Sequence, residues 1–130
     1  MIKIDSIHHV SLAVKDLSKA KQFYGTILGL QEIARPDFDF PGAWYQVGNQ
    51  QLHLIVEPMA TTFRNNPKID SKDGHFAIRI QNYEETLTYL KSKGVKFEEY
   101  RYSVSGFAQI FCADPDDNLI ELNVDQNTLV

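Results

Sequence analysis

The sequence predicts an α+β fold made of two tandem βαβββ modules, one over about residues 5–57 and one over about 74–125. Three observations carry this. A strand-like run opening on histidine occurs twice, as His9-Val10-Ser11-Leu12-Ala13-Val14 and as His75-Phe76-Ala77-Ile78-Arg79-Ile80. In each copy apolar residues alternate with small or polar ones, the period-2 signature of a strand with one buried face. Each copy is followed by a helical stripe and then three further strand-like runs, so the order strand, helix, three strands repeats across the chain.

The elements follow in order. After the first strand, Asp16 caps a helix predicted from Leu17 to about Leu28, with Leu17, Ala20, Phe23, Tyr24, Ile27 and Leu28 on one stripe and Gly29 as its stop. A short strand around Leu30–Ala34 leads into an aromatic loop containing Arg35, Phe38, Phe40 and Gly42. Ala43–Val47, the turn Gly48-Asn49, and Leu52–Glu57 read as a hairpin. Residues 58–73 are polar, contain Pro58 and Pro67, and lack periodicity, so they read as the linker between modules.

The second module repeats the plan. Asn82 caps a helix carrying Tyr83, Leu87 and Leu90 that stops at Gly94, with Glu85 at capping-box spacing. Strands are predicted over 95–100, 106–113 and 118–124, the last two joined by the turn Asp114-Pro115-Asp116-Asp117.

Composition narrows the function. A chain of 130 residues, 43% hydrophobic, holds one domain's worth of core without disulfides. Its net charge of -4 gives no basic stripe for nucleic acid. No apolar run reaches the roughly 20 residues of a membrane span, and the first residues lack a signal peptide's apolar segment. A cytoplasmic protein is expected. The single cysteine, Cys112, sits in a strand-like run and reads as a buried inert thiol.

The repeat also aligns chemistry. His9 and His75 lie 66 residues apart, and His53 and Glu121, each flanked by apolar residues on the final strand of its module, lie 68 apart. All four side-chain types bind divalent metals. Any one histidine taken alone is more often a hydrogen-bonded structural residue than a ligand, and the coincidence of type, parity and spacing is what favours a metal site. By strand parity the four face away from the helices, on a surface shared with Ser11, Ala13, Ile55, Glu57, Ala77, Arg79 and Asn123. Such a mixed lining suits a ligand hollow. Arg79 is a candidate to hold a substrate anion and Glu57 to move a proton, and an ordinary ion pair is the competing reading for both. Phe38, Phe40 and Trp44 read as a lid over the hollow or as core or dimer-interface packing. His8 has the opposite parity and reads as structural.

Together these motifs resemble the vicinal-oxygen-chelate superfamily of glyoxalase I, extradiol dioxygenases, fosfomycin-resistance enzymes and bleomycin-binding proteins. The likeness runs from His9-Val10-Ser11-Leu12-Ala13-Val14-Lys15-Asp16-Leu17 through Phe23-Tyr24 and Leu28-Gly29-Leu30 to Asp114-Pro115-Asp116 and Leu119-Ile120-Glu121-Leu122. It implies an incomplete barrel around a metal or ligand cavity, often completed across a homodimer. It also implies one divalent metal ion (zinc, nickel, manganese or iron) held by His9, His53, His75 and Glu121. His53 departs from glyoxalase I, which has a carboxylate or amide there, so this site gains Lewis acidity and loses a candidate base. Ala13 stands where glyoxalase I tends to carry a glutathione-binding arginine, and Arg79 occupies the symmetry-related place.

The resemblance thus implies a metal-dependent lyase or isomerase acting on a small vicinally oxygenated metabolite. In it His53, Glu121 and Glu57 are the catalytic candidates, and Arg79, Trp44 and Asn123 the substrate-binding ones. Ring-cleaving dioxygenase and fosfomycin-type addition are the alternative chemistries, and a metal-free drug- or metabolite-binding protein the alternative class.

Overall fold

The computed structural model describes residues 1–129. The chain divides into two compact units, Met1–Phe63 and Arg64–Val130. The first contains β1 (His9–Val14), α1 (Leu17–Lys21), a π-helical segment (Gln22–Ile27), β2 (Gln31–Ile33), β3 (Gly42–Val47) and β4 (Gln50–Val56). The second contains β5 (His75–Arg79), α2 (Tyr83–Ser92), β6 (Phe97–Tyr100), β7 (Phe107–Ala113) and β8 (Leu119–Asp125). Each forms a four-stranded mixed sheet, ordered β1-β4-β3-β2 in one unit and β5-β8-β7-β6 in the other. In both, the first strand pairs in parallel with the last, and the remaining pairs are antiparallel. The duplicated βαβββ plan expected from the sequence is therefore the fold.

Alternation along the strands decides which face each helix covers. In the first unit Val14, Ala43, Tyr45, Leu52 and Leu54 are buried together with Ala20, Phe23 and Tyr24 of the helical segment. In the second, Ala108, Ile110, Cys112, Ile120, Leu122 and Val124 are buried with Tyr83, Leu87 and Leu90 of α2. Each large side chain removed from water in these layers stabilises by roughly 1.5–3 kcal/mol. Cys112 is fully enclosed, and burial, with Asp114 adding to it, pushes its thiol up to about 12. The expectation of an inert thiol holds.

The helix starts are capped as expected, Asp16 accepting from the Lys19 amide and Asn82 from the Glu85 amide. Gly29 and Gly94 follow the helices at φ of +73° and +67°, a conformation that costs a side-chain-bearing residue energy. The first helix differs from the expected single α-helix. After Lys21 the turns widen, and the Leu28 amide reaches back five residues to the Phe23 carbonyl at 2.8 Å. The consecutive rings Phe23 and Tyr24, both buried and meeting edge to face, lie within these wider turns.

The boundary between units falls within the segment expected as the linker, and from Arg64 onward that segment is folded onto the second unit. The Arg64 guanidinium binds the Asp73 carboxylate and the carbonyls of Asn66, Lys68 and Asp117. Ile69, 3% exposed, packs with Phe111 and Leu119. A stretch without hydrophobic periodicity is thus ordered by one cation satisfying several carbonyls. No helix among the described residues is long and apolar enough to cross a membrane.

Candidate metal and substrate site

In the first unit, strand pairing places the predicted side chains on the sheet face away from the helix. The parallel register sets His9 beside Gln51 and Ser11 beside His53, and the antiparallel register sets Trp44 opposite His53. The result is a stack of three near-parallel rings. Trp44 and His53 lie 3.9 Å apart at 3°, and His53 and His9 lie 4.1 Å apart at 18°. His53 is 7% exposed, and its Nε2–H donates to Gln51 Oε1 at 2.8 Å, which leaves Nδ1 as the acceptor nitrogen. Burial first, and then the neighbouring charges of His9, His8 and Arg35, lower its pKa from the ordinary 6.5. His8 meets His9 edge-on, with the two Nδ1 atoms sharing a hydrogen bond of 2.9 Å.

The aromatic loop lies along the same stack. Phe38 and Phe40 stack at 5.0 Å, and Phe38 lies 6.2 Å from Trp44. The Arg35 guanidinium sits 4.8 Å and 5.0 Å from the two phenyl rings and donates to the Phe40 carbonyl at 2.8 Å. Gly42 permits this arrangement. A Cβ there would collide with the Leu54 carbonyl oxygen and come within 2.9 Å of the guanidinium.

In the second unit the parallel pairing of β5 with β8 sets Ala77 beside Glu121 and Arg79 beside Asn123. A continuous chain of hydrogen bonds runs across this face. The Asp73 carbonyl accepts from His75 Nδ1 at 2.8 Å, and His75 Nε2 faces Glu121 Oε1 at 3.2 Å. Glu121 Oε2 accepts from Asn123 Nδ2 at 2.7 Å, and Asn123 Oδ1 accepts from Arg79 Nε at 2.8 Å. Glu121 and Asn123 are each 5% exposed. The edge of Phe111 meets His75, and the guanidinium of Arg79 lies 5.2 Å from the Phe107 ring.

The chemistry of the His75 and Glu121 pair fits a cation. With Nδ1 spent as a donor on a carbonyl, a neutral His75 presents a lone pair at Nε2 to a carboxylate oxygen. Two acceptors that close need a proton or a cation to share. His9 and His53 belong to the first unit and His75 and Glu121 to the second, and no group of three or more His, Cys, Asp or Glu side chains is assembled among the described residues. Glu57 lies just beyond β4, exposed, its carboxylate accepting the Met59 amide.

Gln51 is the functional neighbour that sequence reasoning passed over. Strand parity alone puts it on the face of His53, two residues away. Internal symmetry drew attention elsewhere, because its counterpart, 68 residues on, is Leu119. Arg35 likewise carried no signal beyond its place in an aromatic loop.

Residues 6–122 match the family model described as the Glyoxalase/Bleomycin resistance protein/Dioxygenase superfamily. The chain is 26% identical to Glyoxylase I 4 of Arabidopsis thaliana, over 93% of this chain and 71% of that protein. It is 28% identical to the fosfomycin resistance protein FosX of Listeria monocytogenes, over 92% of this chain and 90% of that one. Among solved structures, a glyoxalase family protein from Bacillus anthracis superposes with a TM-score of 0.79 at 27% identity, covering 95% of this chain and 97% of that one.

Proposed function

Because the chain belongs to the glyoxalase/bleomycin resistance protein/dioxygenase superfamily, we propose that it is a divalent-metal-dependent lyase or isomerase acting on a small metabolite with two vicinal oxygens. The observation that carries this reading is the His75 and Glu121 pair, an imidazole nitrogen and a carboxylate oxygen 3.2 Å apart, with the other ring nitrogen 2.8 Å from the Asp73 carbonyl. In this reading the metal ligands are His75 and Glu121, with His9 and His53 as the further candidates. A bound divalent cation supplies Lewis acidity to adjacent substrate oxygens.

The chain's own residues do the rest. His53 keeps Nε2–H on Gln51 and has its pKa lowered, so its Nδ1 is unprotonated near neutral pH and suited to bind a cation or accept a proton. Glu121, held by Asn123, and the exposed Glu57 are the further catalytic candidates in this reading. Arg79 orients the substrate, and Trp44 gives it an aromatic wall. A cytoplasmic homodimer completes the reading, supported by the buried reduced thiol and by the exposed apolar Ile2, Ile4 and Ile7 ahead of β1.

Metal analysis of protein purified without chelator tests the proposal, with about one equivalent of zinc, nickel, manganese or iron expected. Less than a tenth of an equivalent, with no affinity on add-back, overturns it. Assays with a hemithioacetal, an epoxide plus thiol, and a catechol with oxygen uptake then separate isomerase, addition and dioxygenase chemistry.

A second reading is supported by the stack of Trp44, His53 and His9 with Phe38 alongside, a wall suited to a flat ligand. In that case the protein sequesters a planar drug or metabolite without a metal. Trp44 is the only tryptophan in the sequence, so quenching of its fluorescence by an aromatic ligand, unchanged by chelator, would favour binding over catalysis.

A further inference from the structure

We infer that Gln109 determines ligand specificity: its side-chain amide, bracketed by Tyr100, Phe107 and Phe111, is a subsite for a planar primary amide. The inference stands on the second unit alone and requires no cation at His75 and Glu121. It goes beyond the metal reading by naming a group that a ligand carries apart from its vicinal oxygens.

Register places the residue. Gln109 on β7 sits between Asn123 on β8 and Tyr100 on β6, and cross-strand partners share a sheet face. That face is the one carrying Glu121 and Asn123. Phe107 and Phe111, two residues to either side along β7, lie on it as well. The Gln109 carbonyl accepts from the Tyr83 hydroxyl of α2 at 3.2 Å, so the helix anchors the backbone from which the side chain projects.

The neighbouring polar side chains are already engaged. Asn123 Nδ2 donates to Glu121 and its Oδ1 accepts from Arg79, while the Tyr100 hydroxyl donates to Glu98. Gln109 is half-buried, and neither its Oε1 nor its Nε2 has a protein partner among the described residues. Its amide therefore offers one acceptor and one donor along a single edge.

That pattern selects its complement. A primary amide also carries C=O and N–H on one edge, so the two amides close a pair of hydrogen bonds. An open-chain secondary amide is trans and holds the two groups on opposite edges. A carboxylate presents two acceptors, one of which faces Oε1. The rings favour a flat ligand. Tyr100 and Phe107 are 41% and 36% exposed, and Tyr100 meets Phe111 edge to face with centroids 5.8 Å apart. A flat group settling on these rings removes them from water and strengthens the hydrogen bonds it makes beside them.

The test uses the full chain, as purified and after chelator treatment, with benzamide, acetophenone and N-methylbenzamide as probes. Affinities are read from saturable NMR shifts of the β7 backbone amides. Benzamide should bind about tenfold tighter than acetophenone, which keeps the ring and the carbonyl and lacks the N–H, and N-methylbenzamide should behave as acetophenone does. Gln109→Met keeps the length of the side chain and removes both hydrogen-bonding groups, so it should bring the ratio of benzamide to acetophenone affinity to within about twofold of one. Gln109→Leu should do the same. Tyr100→Leu should weaken all three probes about threefold and preserve the ratio, since it removes wall and leaves the amide. Circular dichroism confirms that each variant is folded.

A ratio below about threefold in the unaltered chain, a ratio unchanged in Gln109→Met, or N-methylbenzamide binding as tightly as benzamide would each overturn the subsite. Discrimination lost on chelation would overturn its independence from a cation. Discrimination that survives in protein unable to bind zinc would uphold the subsite while the metal reading fails, and zinc binding without Gln109-dependent discrimination would overturn the subsite alone.

Discussion

His75 and Glu121 face each other across the parallel pair β5 and β8, with Nε2 and Oε1 3.2 Å apart and the far nitrogen of the ring held by the Asp73 carbonyl. A contact of this kind fixes the tautomer before any ligand arrives, so the imidazole loses little freedom on binding a cation. Substituting Glu121→Gln keeps the shape and the bond from Asn123 while removing the charge. Zinc affinity is expected to fall by about 100-fold or more, in line with the loss of a ligating carboxylate. Calorimetric titration of the two proteins checks this, and equal affinities would show that the pair is only an internal salt bridge.

His53 gives the apoprotein a pH-dependent stability of definite sign. Its folded-state pKa is lowered from 6.5, chiefly by burial and then by His9, His8 and Arg35, so the unfolded chain takes up a proton more readily than the folded one. The stabilisation is fully present above about 6.5 and is lost as pH falls below that value toward the folded pKa. Replacing His53 by Gln should flatten this limb of the denaturation profile between pH 7 and 5. Urea midpoints across that range provide the measurement, and an unchanged slope in the variant would remove His53 as its source.

Tyr45 carries a cost in the fold. Its hydroxyl is buried beside Gly25 with no hydrogen-bond partner among the described residues, and burial, then Glu32, raises its pKa. A buried polar group left unsatisfied costs about 1–3 kcal/mol, so Tyr45→Phe is expected to stabilise the protein within that range. A higher Tm with unchanged zinc affinity is the expected outcome. A lower Tm would show that a water or an unseen partner satisfies the hydroxyl.

The residues legible in the sequence are those whose position follows from period and symmetry. His9, His53, His75 and Glu121 lie on the predicted faces because strand parity alone determines them. Cys112, read from its strand-like run as a buried thiol, is fully enclosed. What the sequence concealed depends on contacts between segments without periodicity. Ile69 is an isolated apolar residue in a polar run, and Arg64 resembles any other cation until four partners surround it. The π-helical turns at Gln22–Ile27 were hidden for a similar reason. An apolar stripe is compatible with α or π geometry, so hydrophobic pattern alone does not choose between them.

Gly42 tests whether the aromatic loop belongs to the site. The position has no room for a methyl group, since a Cβ would meet the Leu54 carbonyl and the Arg35 guanidinium. The Leu54 carbonyl is backbone in a paired strand and yields only at a cost, and the guanidinium with its phenyl partners has to move as well. Gly42→Ala should cost about 1–3 kcal/mol of stability, as overpacking usually does. It should also change the emission of Trp44, because Phe38 lies 6.2 Å from that indole and Arg35 holds Phe38 in place. If the loop covers the substrate, the same variant raises KM more than it lowers kcat, since a displaced wall weakens binding without touching His75 or Glu121. A stability loss with unaltered Trp44 emission and unaltered KM would assign the loop to packing alone.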